Sequence, residues 1–187
     1  VAINRLNPDY PDAGIVQLIP TSLTLGSGSG SVDGNGAVTF SGVSSISLNG
    51  CFTASYDNYK IYVNMSASNV WSCRMRLGSS GTPNTASTYN LQSLVISNTS
   101  VTASQQLSTN QFSITDVSTD FGSTEIDVMQ PFNSSHTLFN SKGIYATTQM
   151  QNRSGRFAGT TSFTDIVFYP DSPGTITGTI RVYGYRN

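Results

Sequence analysis

Charge is what this sequence has least of. Its 187 residues hold 9 Lys and Arg, 10 Asp and Glu and one His, so 10% of the chain is charged, against about 25% in ordinary soluble domains. Ser, Thr, Asn and Gly take up the difference. A surface of neutral hydroxyls and amides sets up no field that steers phosphate, and no basic patch is present, so nucleic acid is excluded as an expected partner. The ~20-residue apolar run needed to cross a bilayer is missing as well. Val1 to Asp12 carries Asn, Arg, Pro and Asp where a signal peptide would carry its apolar centre. No membrane contact is expected.

Cysteine and histidine are nearly as scarce. Cys51 and Cys73 are the only cysteines, each at the edge of an alternating apolar segment. Buried free thiols behave as small hydrophobes, and a protein assembled inside a cell keeps them reduced, so a bridge between them is an option and not a requirement. One His and no Cys-x-x-Cys leave no zinc pattern, and no cofactor is expected. A serine nucleophile would need His136 as its base, yet His136 lies in the polar run 133–136, where a surface position is the simpler expectation. Gly26-Ser27-Gly28-Ser29-Gly30 matches the nucleophile-elbow letters, but inside low complexity and with no helix after it. Asp116, Asp120, Glu125 and Asp127 cluster in sequence. On a strand, Glu125 and Asp127 share one solvated face, and that outcome is preferred to a calcium site or a glycosidase pair. The Asn-x-Ser/Thr triplets at Asn64, Asn98, Asn133 and Asn152 are expected by chance in so Ser-rich a chain. An enzyme is therefore not expected.

What the sequence does have is strand signal. Tyr59 to Met65 puts Ile61, Val63 and Met65 on one face and Lys60 and Asn64 on the other, and Cys73, Met75 and Leu77 alternate with Arg74 and Arg76. A period of two with one apolar face marks a half-buried antiparallel strand. Further strands are expected at 37–40, 45–48, 89–96, 111–116, 124–129, 137–139, 143–150, 156–160, 164–169 and 175–184. No dozen residues carry a helical apolar stripe, so any helix is a single turn, placed at Ala103 to Leu107. Gly81 to Asn84 and Pro170 to Gly174 supply turns that cross between sheets, and Asp120 to Ser123 reads as a hairpin turn. These features predict an all-β fold, an antiparallel two-sheet sandwich of jelly-roll type, in preference to a closed barrel.

Residues 1–36 read differently from the 37–187 body. Two prolines in Asn7 to Asp12 favour an extended path, and a short apolar run, Gly14 to Pro20, is followed by Thr21 to Leu25 and then by the Gly/Ser-rich 26–36. The expectation is an extended N-terminal arm and tether, with a glycine-rich hairpin loop as the alternative for 26–36. Ile15, Val16, Leu18, Ile19, Leu23 and Leu25 are the candidate contacts to a neighbouring subunit, since an exposed apolar strand invites pairing. Among the aromatics, Trp71 beside a turn is expected in the core or at a subunit interface, with a glycan-stacking platform as the alternative.

Two segments carry a resemblance. Val38 to Ile61, with its Tyr56-Asp57-Asn58-Tyr59 turn, and the ending Gly178 to Asn187, with Val182-Tyr183-Gly184-Tyr185, resemble small virion proteins and fibre-end domains of tailed bacteriophages; Arg76 to Gly81 and Tyr89-Asn90 fit the same pattern. Cys51 stands where that pattern has an aliphatic residue. The resemblance implies a homotrimeric, non-catalytic component of the virion surface, assembled in the bacterial cytoplasm and bound to the major capsid protein or another virion protein. An arm followed by one body suits an outward-facing capsid decoration or cement protein or a head fibre. A tail-fibre tip that binds a host surface glycan is the alternative.

Overall fold

The computed structural model describes residues 14–145 and 149–185. In chain order its strands are β1 (Ile15–Leu18), β2 (Ser22–Leu25), β3 (Ser29–Val32), β4 (Val38–Val43), β5 (Ile46–Asn49), β6 (Asn58–Ala67), β7 (Trp71–Ser79), β8 (Thr82–Pro83), β9 (Tyr89–Ser97), β10 (Ser100–Thr109), β11 (Phe112–Val117), β12 (Gly122–Met129), β13 (Thr137–Tyr145), β14 (Gln149–Phe157), β15 (Asp165–Pro170) and β16 (Ile176–Tyr185). The ten-stranded sheet runs β10-β9-β14-β13-β12-β6-β16-β4-β3, with β1 pairing β16 beside β4. The six-stranded sheet runs β11-β7-β15-β5-β2, with β8 pairing β7. The described strands pair antiparallel throughout, and the chain passes repeatedly from one sheet to the other, in the manner of a jelly roll.

The alternation read from the sequence is what builds the interior. Tyr59, Ile61, Val63 and Met65 of β6, Ile180 and Val182 of β16, and Ile126 and Val128 of β12 are buried and face Cys73, Met75 and Leu77 of β7 and Ile166 and Phe168 of β15. Tyr59 is fully buried at the start of β6. Its ring stands edge-on to Phe52 at 4.7 Å and to Tyr56 at 6.1 Å. Its hydroxyl accepts from the Thr53 amide at 2.8 Å and donates to the Thr53 carbonyl at 2.9 Å. Both cysteines are free and buried. Burial raises both thiols, that of Cys73 to about 12 in spite of the nearby Arg74 and Arg153 charges, so neither is a ready nucleophile.

The expected turn at 170–174 does cross between the sheets, from β15 to β16, whereas the one at 81–84 folds β8 back on β7 within the small sheet, and the crossing to β9 follows it. The one at 120–123 also crosses, from β11 in the small sheet to β12 in the large one, and is not the hairpin expected there. Three further segments, 103–107, 143–150 and 156–160, depart from the sequence expectation. Residues 103–107 are the middle of β10, not a helical turn. The stretch 143–150 is divided between β13 and β14, and β14 runs on through 156.

The N-terminal residues are the larger departure. Residues 1–13 lie outside the described residues, but 14–36 do not form a separate arm and tether. β1 pairs β16, β2 pairs β5 and β3 pairs β4, so this segment contributes to both sheets and the boundary at 36 does not separate two bodies. Asp33 closes the β3–β4 hairpin by accepting from the amides of Asn35 and Ala37 at 2.9 and 2.8 Å. The glycines that resemble a flexible linker are there for close packing. Gly28 has φ 68°, and a Cβ on it would lie 2.2 Å from the Ser41 carbonyl oxygen of the neighbouring strand.

One buried carboxylate pins two turns to the small sheet. Asp165, 1% exposed, accepts from the Gly50 amide at 2.9 Å, the Gly81 amide at 2.6 Å and the Thr164 hydroxyl at 2.7 Å. Asp165→Ala leaves those amides without an acceptor, and a loss of about 2–3 kcal/mol is expected in chemical denaturation, with an unchanged native spectrum.

Candidate functional site

The acidic cluster does not converge. Glu125 and Asp127 stand on the outward face of β12, as expected, while Asp116 sits at the small-sheet edge between the sheets and Asp120 in the crossing loop. Lys60 of β6 lies opposite Asp127 and bonds both carboxylates, to Glu125 by a short contact and to Asp127 at 2.8 Å. Burial works against the Lys60 ammonium, but hydrogen bonds to Asp127 and Glu125 outweigh it and raise the amine above its usual range. No group of three or more His, Cys, Asp or Glu side chains able to hold a metal occurs among the described residues.

Asp116 belongs to a polar seam between the sheets. From β11 it accepts from Arg153 of β14 at 3.0 Å, from Gln151 at 2.6 Å and from the Ser72 hydroxyl at 2.7 Å. Arg153, 5% exposed, also donates to Ser113 by a short contact. These bonds tie β7, β11 and β14 together, which gives the seam a structural role. His136 is exposed, with Nδ1 3.3 Å from the Gly159 carbonyl oxygen and no serine hydroxyl or carboxylate bonded to it.

The six apolar N-terminal candidates separate into two sets. Leu18, Leu23 and Leu25 pack against the chain's own core, and Val16 is half-buried. Ile15 and Ile19 remain 52% and 56% exposed. The difference follows from β1 and β2 being strands of the sandwich: alternate residues turn inward, and only the outward ones are left to meet a partner. Trp71 opens β7 with its backbone opposite Val117 of β11.

A surface that sequence reasoning missed lies on the outward face of the large sheet. Ile96, Met150 and Ile144 occupy directly opposed positions on β9, β14 and β13, and Val101 of β10 continues the row. Their exposures are 36%, 60%, 59% and 65%. Beside the row, Tyr62, Leu94, Glu125, Lys142 and Asn152 help line a groove of about 400 Å³. Tyr62 is 41% exposed and stands edge-on to Tyr183 at 5.8 Å. The signal for this surface was present as apolar residues out of phase with their strands, but it needs the register to be seen.

No family model and no curated protein matches the chain. Among solved structures it is similar to domain 4 of AbnA, an extracellular arabinanase of glycoside hydrolase family 43 from Geobacillus stearothermophilus, whose structure holds arabinotriose. The identity is 12%, the TM-score 0.34, and the alignment covers 92% of this chain and 82% of that one.

Proposed function

We propose that this chain is a non-enzymatic structural protein of a tailed-phage particle, an outward-facing capsid decoration, cement or head-fibre protein held by its N-terminal segment to the major capsid protein or another virion protein. The observation that carries the proposal is the position of β1. It is a four-residue strand at the N-terminal end of the described chain; Ile15, which opens it, and Ile19, which follows it, are exposed, while Val16 and Leu18 are half-buried. An apolar pair on a sheet edge is a surface that another protein covers. The ionic groups support the same reading, because those that are buried are engaged in holding the sandwich together.

The test is binding to particles stripped of this protein. Removing residues 1–13 together with Ile15→Ser and Ile19→Ser is expected to weaken binding by about tenfold or more, equivalent to ~1.4 kcal/mol. Undiminished binding would refute attachment by this route. Leu18, Leu23 and Leu25 are left intact because their loss would unfold the body.

A second reading, a glycan-binding fibre tip, is favoured by the outer groove, which Tyr62 lines together with Asn152, Lys142 and Glu125. A flat ring among amide and charged groups suits a sugar. A glycan array probed with wild type, Tyr62→Ala and Trp71→Ala decides it; no retained sugar removes the reading.

A further inference from the structure

We propose that two copies of this chain associate through β10, edge to edge and antiparallel, about a two-fold axis near Ala103, making one continuous sheet across the pair. The inference does not rest on the N-terminal attachment, since β1 and β10 lie toward opposite ends of the large sheet, and it puts a two-fold pair in place of the three-fold assembly that the resemblance implies.

The case begins with an edge that lacks the usual protection. Among the described residues no strand pairs the outer side of β10. It is ten residues long, whereas the other terminal strands of the sheets, β3, β2 and β11, have four, four and six. Exposed edges are ordinarily kept from pairing by charge, by proline, by shortness or by a bulge. β10 has no charge and no proline; indeed, no charged residue occurs from Leu77 to Thr115. Its irregularity, between Gln106 and Thr109, is confined to one end. There Ser108 has φ 52° and its amide donates to Asn90 Oδ1 at 2.9 Å. Ser100 to Gln106 is left as a regular, open strand.

The same composition identifies the occupant. A two-fold pairing sets each residue opposite one from the same strand, so any charge would face its own kind or a neighbour's. An uncharged strand pays nothing for this symmetry, and the pair is self-complementary. Centred on Ala103, the pairing sets the two smallest side chains of the regular stretch with a Cβ against each other. Val101 of one copy then lies beside Gln105 of the other, and Thr102 beside Ser104. The outward apolar row of Val101, Ile96, Met150 and Ile144 runs up to the junction from each side. Joining the edges therefore covers part of Val101, 65% exposed in the single chain.

The experiment is sedimentation velocity and light scattering on the full chain from micromolar to millimolar concentration, with variants Ala103→Lys, Ala103→Cys and Val101→Cys. The wild type is expected to shift from the 19.9 kDa chain mass to twice that value. Ala103→Lys, at an exposed site, is expected to stay monomeric while keeping the wild-type thermal unfolding curve. Under mild oxidation Ala103→Cys should form an intermolecular disulfide, since directly opposed Cβ atoms are ~4.5–5.5 Å apart. Val101→Cys should not, because its counterpart lies four residues along the strand, ~13 Å away. The native Cys51 and Cys73 are buried and give no background. A wild type monomeric at every concentration, a trimer, a dimer indifferent to Ala103→Lys, or cross-linking at 101 in place of 103 would each overturn the proposal.

Discussion

Phe112→Ala is expected to cost about 3–5 kcal/mol, the range for removing a fully buried phenylalanine, and to lower the unfolding midpoint by roughly 10 °C for a chain of this length. The residue is 0% exposed on β11 in the small sheet. Its ring meets Phe139 of the large sheet at 3.6 Å and Tyr89 at 4.6 Å. Tyr89 in turn meets Phe157 at 5.0 Å, and Phe157 meets Phe163 at 5.0 Å. The aromatic chain thus begins by spanning the gap between the sheets. Truncating Phe112 opens a cavity bounded by rings that are fixed on separate strands and cannot collapse into it. Phe121→Ala is the comparison: Phe121 is 69% exposed in the crossing loop, and its loss should stay within about 0.5 kcal/mol. Equal effects from the two substitutions would show that Phe112 does not join the sheets in this way.

Asp116→Ala is expected to cost a similar amount, about 3–5 kcal/mol, for a different reason. It strands the Arg153 guanidinium in the interior without its carboxylate. The paired replacement Asp116→Val with Arg153→Met should cost much less than Asp116→Ala alone, since no ion is then left buried. The pH dependence has a definite sign. Burial pushes the Asp116 carboxyl upward, but the Arg153 charge and the hydrogen bonds from Ser72, Arg153 and Gln151 outweigh it and hold the group below its ordinary 3.8. The folded chain therefore binds this proton less readily than the unfolded one. The stabilisation is complete above the ordinary value and is lost as pH falls through the lowered folded value. Urea midpoints followed from neutral to strongly acid pH should fall less steeply in Asp116→Ala than in wild type. Parallel acid limbs would remove Asp116 from the account.

The parts of this fold legible in the sequence are those where one strand face is apolar and the other polar. β6, β7, β12 and β16 are of that kind, and their cores were readable residue by residue. β10 was not, because both its faces meet solvent and nothing selects alternation; Ala103 to Leu107 then looks no different from a polar helical turn. The available signal was Asn98 at φ 52° in the tight β9–β10 connection, an asparagine suited to a two-residue hairpin. β13 and β14 were divided wrongly because their pattern is inverted in places. Ser141, Gln151 and Arg153 face inward while Leu138, Ile144 and Met150 face outward, so polarity alone points to the wrong face. The same inversion hid the outer apolar row. The residues of 14–36 were misassigned for want of a partner: Gly28 and Gly30 show their packing role only when β4 is beside them. Of the candidate contacts, Ile15 and Ile19 kept an accessible position and the leucines did not, a division fixed by which way each strand faces.

Ile15 is directly opposite Tyr185, so the first and last described strands leave the sandwich at one corner. An affinity tag, fluorophore or fused cargo placed after residue 185 would stand next to any anchor formed by the preceding N-terminal segment and would crowd it sterically. Conversely, with residues 1–14 and 186–187 removed, a short peptide bridge from Tyr185 to Ile15 would span a gap of only ~5 Å between opposed Cα atoms, with new ends opened in the stretch around Ser134 to His136.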